Sequence, residues 1–244
     1  MPPIDRYAWT NRWRRRHPAE KLLLAGGLLL LSLLLPPLPA APLVLVVAVL
    51  ATVLGAGIPA TALLRFMAIP ATFLLSSLPL LALSVSSSGI GYSPQGLETA
   101  LQVMARSLAA LSCLALLTLT TPVVAWAPLL RRVGVPQVIV EIMLLLYRLI
   151  FVIAEEAVSG AQAQSARLGY DGLRRSLNSL GLLIANLLER SLARVRRLQI
   201  GLAARQFDGD LRVLPAEYDW SSRRMMFTGC LLLGIAAVGL LGGQ

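Results

Sequence analysis

The sequence predicts an all-α, polytopic membrane protein with about five transmembrane helices and a set of cytosolic helices between the fourth and fifth spans. Three observations predict this class. Of the 244 residues, 57% are hydrophobic and only 14% charged, with a mean hydropathy of +0.73, whereas a soluble domain carries about 25% charged residues. Several apolar runs approach the ~20 residues that a bilayer-spanning helix needs. The basic residues are also segregated: residues 1–21 hold six Lys or Arg and 122–224 hold fourteen, while 36–42, 86–96 and 242–244 hold none. Cytoplasmic loops carry the excess of Lys and Arg. The N-terminus and 122–224 are therefore expected in the cytosol and the C-terminus outside.

Residues 1–121 are expected to form an arm and four spans, 122–224 a cytosolic helical region, and 225–244 a final span. The arm mixes Arg6, Arg12, Arg14, Arg15 and Arg16 with Trp9 and Trp13, a combination suited to the headgroup region of the bilayer. It has no small-residue cleavage site and reads as retained. The first span is expected over Ala19–Leu35, stopped by the prolines at 36–42, and the second over Leu43–Ile58. A turn over Gly55–Arg65 leads to the third, Phe66–Val85, which contains Pro70 and Pro79; a polar loop follows at 86–94. The fourth, Leu97–Thr121, ends at Thr120-Thr121-Pro122, and the last covers Met226–Leu241.

Gln137–Ala154 is apolar enough to be a sixth span but carries Glu141 and Arg148. A charge at a span centre costs about 2.5–3.5 kcal/mol, and a crossing there would move the following arginines outside. The segment is therefore expected to lie at the inner membrane surface, with Glu141 and Arg148, two turns apart, as a candidate structural pair. Residues 155–205 read as helix, break, helix. The first part has a small-residue face that includes Gly160 and Ala163. In the second, Leu173, Leu177, Leu180, Ile184 and Leu187 open an amphipathic stripe that Gly181 could interrupt.

Both parts end alike. Ala166-Arg167-Leu168-Gly169-Tyr170-Asp171-Gly172 and Ala204-Arg205-Gln206-Phe207-Asp208-Gly209 share Ala-Arg, then an aromatic, then Asp-Gly. Asp-Gly favours turns, and Gly readily takes the left-handed conformation that closes a helix. An Arg there complements the negative end of the helix dipole and keeps its guanidinium available for another acceptor. These two ends can be plugs for two equivalent sockets, or ordinary helix ends on a solvated basic face.

Much chemistry is missing. There is no Gly-rich phosphate loop of the Gly-x-x-x-x-Gly-Lys-Ser/Thr type, so this chain is not expected to hydrolyse ATP. His17 is the only histidine and lies in the basic arm, a poor metal ligand. Cys113 and Cys230 lie in apolar runs and support neither a disulfide framework nor a metal site. The net charge of +10 does not mark a nucleic-acid binder, because Lys21 is the lone lysine and the arginines flank apolar runs. Among ionisable residues, Arg106 alone falls well inside a span, where it is expected to snorkel or meet a loop carbonyl.

Four stretches together resemble the transmembrane T component of energy-coupling-factor (ECF) ABC transporters, in its cobalt/nickel CbiQ branch. They are His17-Pro18-Ala19-Glu20-Lys21, Thr120-Thr121-Pro122, Gly134-Val135-Pro136 leading into Glu141–Arg148, and the two Ala-Arg ends. They follow the family's order over most of the chain. The resemblance implies a non-catalytic coupling subunit in a bacterial cell membrane, importing a transition metal, cobalt by branch. It implies no cofactor in this chain, with ATP-Mg bound by two ATP-binding cassette ATPase subunits. It also implies a substrate-binding membrane S component, with or without a small accessory membrane subunit. Carried over, Ala166, Arg167, Leu168 and Gly169, and Ala204, Arg205, Gln206 and Phe207, terminate the coupling helices, with Arg167 and Arg205 facing acidic residues of the ATPases. Leu168 and Gln206 depart from the family, which commonly has Gly at this position; Gly169 could serve one residue later. A self-contained permease and a membrane scaffold without a transport role remain the alternatives.

Overall fold

The computed structural model describes residues 3–86, 89–92, 94–206 and 218–241. The chain divides into two compact units, Met1–Leu129 with Ala216–Gln244, and Leu130–Pro215. The first contains α1 (Pro3–Thr10), α2 (Pro18–Leu34), α3 (Pro37–Leu50), α4 (Ala60–Ala82), α5 (Pro94–Thr120) and α9 (Ser222–Leu241). The short α6 (Ala127–Arg132) straddles the boundary, and the second unit holds α7 (Gln137–Ala166) and α8 (Leu173–Ala203). The all-α class is observed, with one small addition. Where a loop is expected after the third span, Leu83–Ser86 (β1) pairs antiparallel with Gly89–Tyr92 (β2), placing Leu83 opposite Tyr92.

In the first unit α5 is the hub, packing against α1, α2, α3 and α4, while α9 packs on α2 and α3. The reason is composition: α5 turns small or apolar residues inward on several sides, with Ala109, Cys113, Ala115, Leu116 and Leu119 all buried. One cluster gathers Ala109 and Cys113 with Leu28, Val44, Ala48 and Ile235. Another gathers Leu116 and Leu119 with Ile58, Leu63 and Trp13.

The arm thus differs from a segment lying free among headgroups. Ala8 and Trp13 are buried, and the arm joins the bundle core. Gly55 makes room for it, because a Cβ there would stand 2.5 Å from Trp13 Cζ2. The prolines at 36–42 separate two helices as expected. Pro36 caps α3, Leu38 is non-helical, and Pro42 lies inside the helix one turn after Leu38. A π-turn, Ala51–Gly55, extends α3. The third helix starts at Ala60, six residues earlier than the expected Phe66, because nothing in Ala60–Arg65 breaks a helix.

Among the described residues five helices are long and apolar enough to cross a membrane: Pro37–Gly55, Ala60–Leu78, Gly96–Thr120, Gln137–Ala166 and Ser222–Leu241. The count matches the expectation, but the membership differs by one. α7 qualifies by its apolar composition despite Glu141 and Arg148, and its helix runs unbroken for 30 residues, past 154. α2, with 17 residues, is shorter, yet Leu28 at its middle is wholly buried in the first unit's core. Inside α5, Arg106 Nη2 donates to the Leu35 carbonyl at 2.9 Å. That oxygen belongs to the C-cap of α2, so the guanidinium meets an otherwise unpaired helix-end acceptor, the role expected for it.

Candidate functional site: two matched helix ends

In the second unit α7 and α8 pack as a helical hairpin. Their approach is close where Gly160 faces Leu183. Arg194 Nη2 donates to Glu156 Oε1 at 2.6 Å, joining the two helices through a partly exposed ion pair. α8 is uninterrupted at Gly181 and buries no residue; of its stripe, Leu173, Leu177, Leu180, Ile184 and Leu192 are exposed and Leu187 is half-buried. Beside the hairpin turn lies a groove of about 500 Å³, lined by Glu156, Gln164, Arg167, Ser179 and Arg190 among others.

The first end is bolted in place by side chains. Arg167 N donates to Gln164 O at 3.1 Å, Leu168 N to Ser165 O at 3.0 Å, and Gly169 N back to Gln164 O at 2.9 Å. Together these satisfy carbonyls that the end of α7 would leave unpaired. The Gln164 amide then donates from Nε2 to Ser179 O at 3.0 Å while its Oε1 accepts from Tyr170 Oη at 2.7 Å. Ser179 Oγ donates to Gly169 O at 2.7 Å. The motif therefore rests on α8 through two side-chain hydrogen bonds, and a third, from Tyr170, the motif aromatic, to Gln164, closes the set.

The second end repeats the backbone pattern. Arg205 N donates to Leu202 O at 3.0 Å and Gln206 N to Ala203 O at 3.1 Å. Leu168 has φ 56° and Gln206 φ 52°, and among the described residues these are the two non-glycine residues with positive φ. The left-handed residue is thus the third motif position in both copies, the place where Gly is commoner in the resembled family, and it is not Gly169. Gly169 has another task. A Cβ on it would lie 2.8 Å from Ser179 Oγ and 2.9 Å from Gln164 O, so the contact with α8 requires its absence. Ala166, Arg167, Leu168, Ala204, Arg205 and Gln206 are all exposed. Phe207, Asp208 and Gly209 lie outside the described residues.

Glu141 and Arg148 do not form the expected pair. Glu141 is buried and its Oε1 accepts from Gln137 Nε2 at 2.8 Å, with no ion pair to Arg148 among the described residues. Seven residues of helix separate their Cα atoms by roughly 10 Å along the axis, whereas Gln137 is one turn away. Among the described residues no group of three or more His, Cys, Asp and Glu stands together to hold a metal ion.

A second polar constellation escapes local sequence reading. His17 caps α2, its Nδ1 accepting from Ala19 N at 3.2 Å, and its ring meets Trp220 edge-on at 4.9 Å. The buried Glu20 carboxylate accepts from Ser221 N at 2.9 Å through Oε1, and Oε2 stands 3.1 Å from Arg224 Nε, an ion pair outside hydrogen-bonding angles. Lys21 Nζ donates to Thr120 O at 2.8 Å, where Asn11 Nδ2 also donates at 3.3 Å. One turn of α2 thereby fastens the end of α5 and the start of α9. The His-Pro-Ala-Glu-Lys and Thr-Thr-Pro stretches are thus two halves of one structural junction, and His17 is part of it, not an isolated histidine.

The described residues thus make a helical protein with five helices long and apolar enough to cross a membrane and two matched Arg-bearing helix ends, the class of a multi-pass membrane component. The family model described as "CbiQ: Cobalt transport protein" matches residues 10–215. The chain is 41% identical to the cobalt transport protein CbiQ of Rhodobacter capsulatus, over 98% of each chain. It is 31% identical to the CbiQ of Salmonella typhimurium, over 87% of this chain and all of that one. Half of it is 34% identical to one-fifth of a putative fused cobalt transport protein CbiMQ of Methanocorpusculum labreanum. The chain belongs to the CbiQ cobalt transport family, as a membrane component of it.

Proposed function

We propose that this chain is the non-catalytic coupling subunit of an ECF-type cobalt importer. The observation that carries this reading is the equivalence of the two helix ends: the same Ala-Arg residues, the same backbone hydrogen bonds and the same left-handed third residue, on two helices of one hairpin. A twofold pair of ATPase subunits offers two equivalent sockets, and two equivalent plugs fit that symmetry. Closure of the ATPase pair on ATP-Mg would move the hairpin as a lever. An Arg held bidentately by a carboxylate in a partly desolvated groove supplies both attachment and direction.

The substrate is expected to be selected elsewhere. The fused relative joins an M and a Q part by its printed name, which supports a membrane subunit of the M kind as this chain's S component. The exposed apolar stripe of α8 supports a protein or lipid neighbour along it. The basic segregation supports a cytosolic N-terminus and cytosolic arginines in 122–224, in a bacterial cell, with the C-terminus outside. The test is purification of the tagged chain in mild detergent, with its companions identified by mass. Recovery with two ATPase copies and a substrate-binding membrane subunit is the expected result. Cobalt uptake by the purified chain alone in liposomes would overturn the reading in favour of a self-contained permease.

A further inference from the structure

The first unit carries a groove that the coupling role does not use. It has a volume of about 570 Å³, and its wall is apolar: Leu24 from α2, Val47, Leu50 and Leu54 from α3 and its π-turn, and Phe227 and Leu231 from α9. Leu50, Leu54 and Phe227 are exposed along it, at 48%, 68% and 70%. Its mouth has a different character, because Arg16, Arg223 and Arg224 line the same cavity. Arg16 and Arg224 also line a neighbouring cavity of about 440 Å³ together with Arg12, Arg14, Arg15 and Asn11, with Asp219 as its one carboxylate among the described residues.

The arginines there outnumber the carboxylates near them, Glu20 and Asp219. Arg224 is paired with Glu20. Arg16 lies over the Trp13 ring at 4.3 Å, a contact that orients a guanidinium without neutralising it. Burial lowers the pKa of Arg16 from its ordinary value, and the neighbouring Arg224 charge lowers it further, only partly offset by Glu20. Two guanidinium groups held close beside an apolar slot call for an anion that carries a hydrocarbon chain.

We propose that this groove binds one anionic phospholipid, its phosphate held by Arg16, Arg223 and Arg224 and one acyl chain laid along Leu50, Leu54 and Phe227. The slot covers about two-thirds of one leaflet's hydrocarbon depth. From Arg224 to Leu231 the α9 axis rises about 10 Å, against roughly 15 Å for the hydrocarbon of one leaflet. Guanidinium forks match phosphate oxygens bidentately. A zwitterionic lipid brings its own cation to the same mouth and gains less. Trp13 forms part of the wall, so a bound lipid also rests against the residue that seats the arm beneath Gly55. This inference stands apart from the coupling reading, since it uses only the membrane location and the first unit.

The test is native mass spectrometry of the full chain, purified in mild detergent and presented with equal phosphatidylglycerol and phosphatidylcholine of the same acyl chains. Retention of phosphatidylglycerol is expected to exceed that of phosphatidylcholine at least fivefold. The double variant Arg16→Gln, Arg223→Gln leaves the Arg224–Glu20 pair in place and is expected to bring the ratio near one. Thr228→Trp, which fills the slot, should remove the bound lipid without changing any charge. The control Arg131→Gln, Arg132→Gln, outside this groove, should keep the preference. Equal retention of both lipids by the unaltered chain overturns the proposal, as does an equal loss in the control, which would mark diffuse charge attraction. Crosslinking of a cysteine placed at Leu54 to a protein subunit in place of lipid, within the intact complex, also overturns it.

Discussion

Leu168 and Gln206 hold the same left-handed backbone, φ 56° and 52°, each directly after the arginine of its motif. An L-residue in that conformation costs about 1–2 kcal/mol relative to its right-handed form, a penalty Gly does not bear. Leu168 is 70% exposed, so its side chain returns little by burial. Leu168→Gly and Gln206→Gly are therefore expected to stabilise their helix ends by about 1 kcal/mol each. Hydrogen-exchange protection of the amides at 167–169 and 205–206 reads this directly. A loss of protection would mean that these residues hold the turn through contacts of their own.

Gly169 predicts the opposite sign. A methyl group there collides with Ser179 Oγ, which can rotate, and with the Gln164 carbonyl, which cannot. Gly169→Ala is expected to destabilise the α7–α8 turn by about 1–3 kcal/mol, the usual cost of overpacking, and to break the Ser179–Gly169 hydrogen bond. Limited proteolysis between 166 and 173 should accelerate. Unchanged cleavage would show that the turn relaxes freely.

The contrast between these neighbours explains what the sequence made legible. Arg167 and Arg205 stand out because Ala-Arg, an aromatic and Asp-Gly recur, and recurrence is visible without a structure. Which residue turns left-handed is not visible, since Gly169 is the default choice by propensity and the chain places Leu168 there instead. Reading Gln137–Ala154 apart from 155–205 follows hydropathy alone, whereas the helix runs on through 154 to Ala166, with Glu156 satisfied from α8 by Arg194. The junction of Glu20 with Ser221 and Arg224 lay beyond reach for a different reason. Its members are about two hundred residues apart, and no periodicity links them. Glu141 shows the converse limit: two turns on one face suggested Arg148, but side-chain reach favoured Gln137.

The Glu20 junction carries its own prediction. Removing one partner of a buried ion pair leaves the other uncompensated and costs about 3–5 kcal/mol. Glu20 is 6% exposed, and its carboxylate also satisfies Ser221 N, so Glu20→Ala should fall within that range. The measurement is the midpoint of thermal unfolding in detergent. Arg224→Ala should cost less, because that side chain is one-third exposed and water can solvate the space it leaves. Equal and small losses for both would mean that α9 is held by its apolar contacts alone.

The arginines test the coupling proposal most sharply. Both are exposed and neither motif needs its guanidinium to fold, since the backbone hydrogen bonds close each end. Arg167→Ala with Arg205→Ala should therefore leave membrane abundance intact while cobalt uptake falls to background. Loss of an interfacial Arg–carboxylate pair costs about 2–5 kcal/mol, a weakening of roughly thirtyfold to several thousandfold at each socket. A single substitution leaves one plug engaged and retains the ATPase pair by avidity, so co-purification should survive it better than uptake does. Arg→Lys at both sites keeps the charge but loses the bidentate fork, and uptake should fall between the two. If the double alanine variant transports cobalt at the full rate, the matched helix ends are ordinary caps, and attachment to any ATPase must lie elsewhere on the chain.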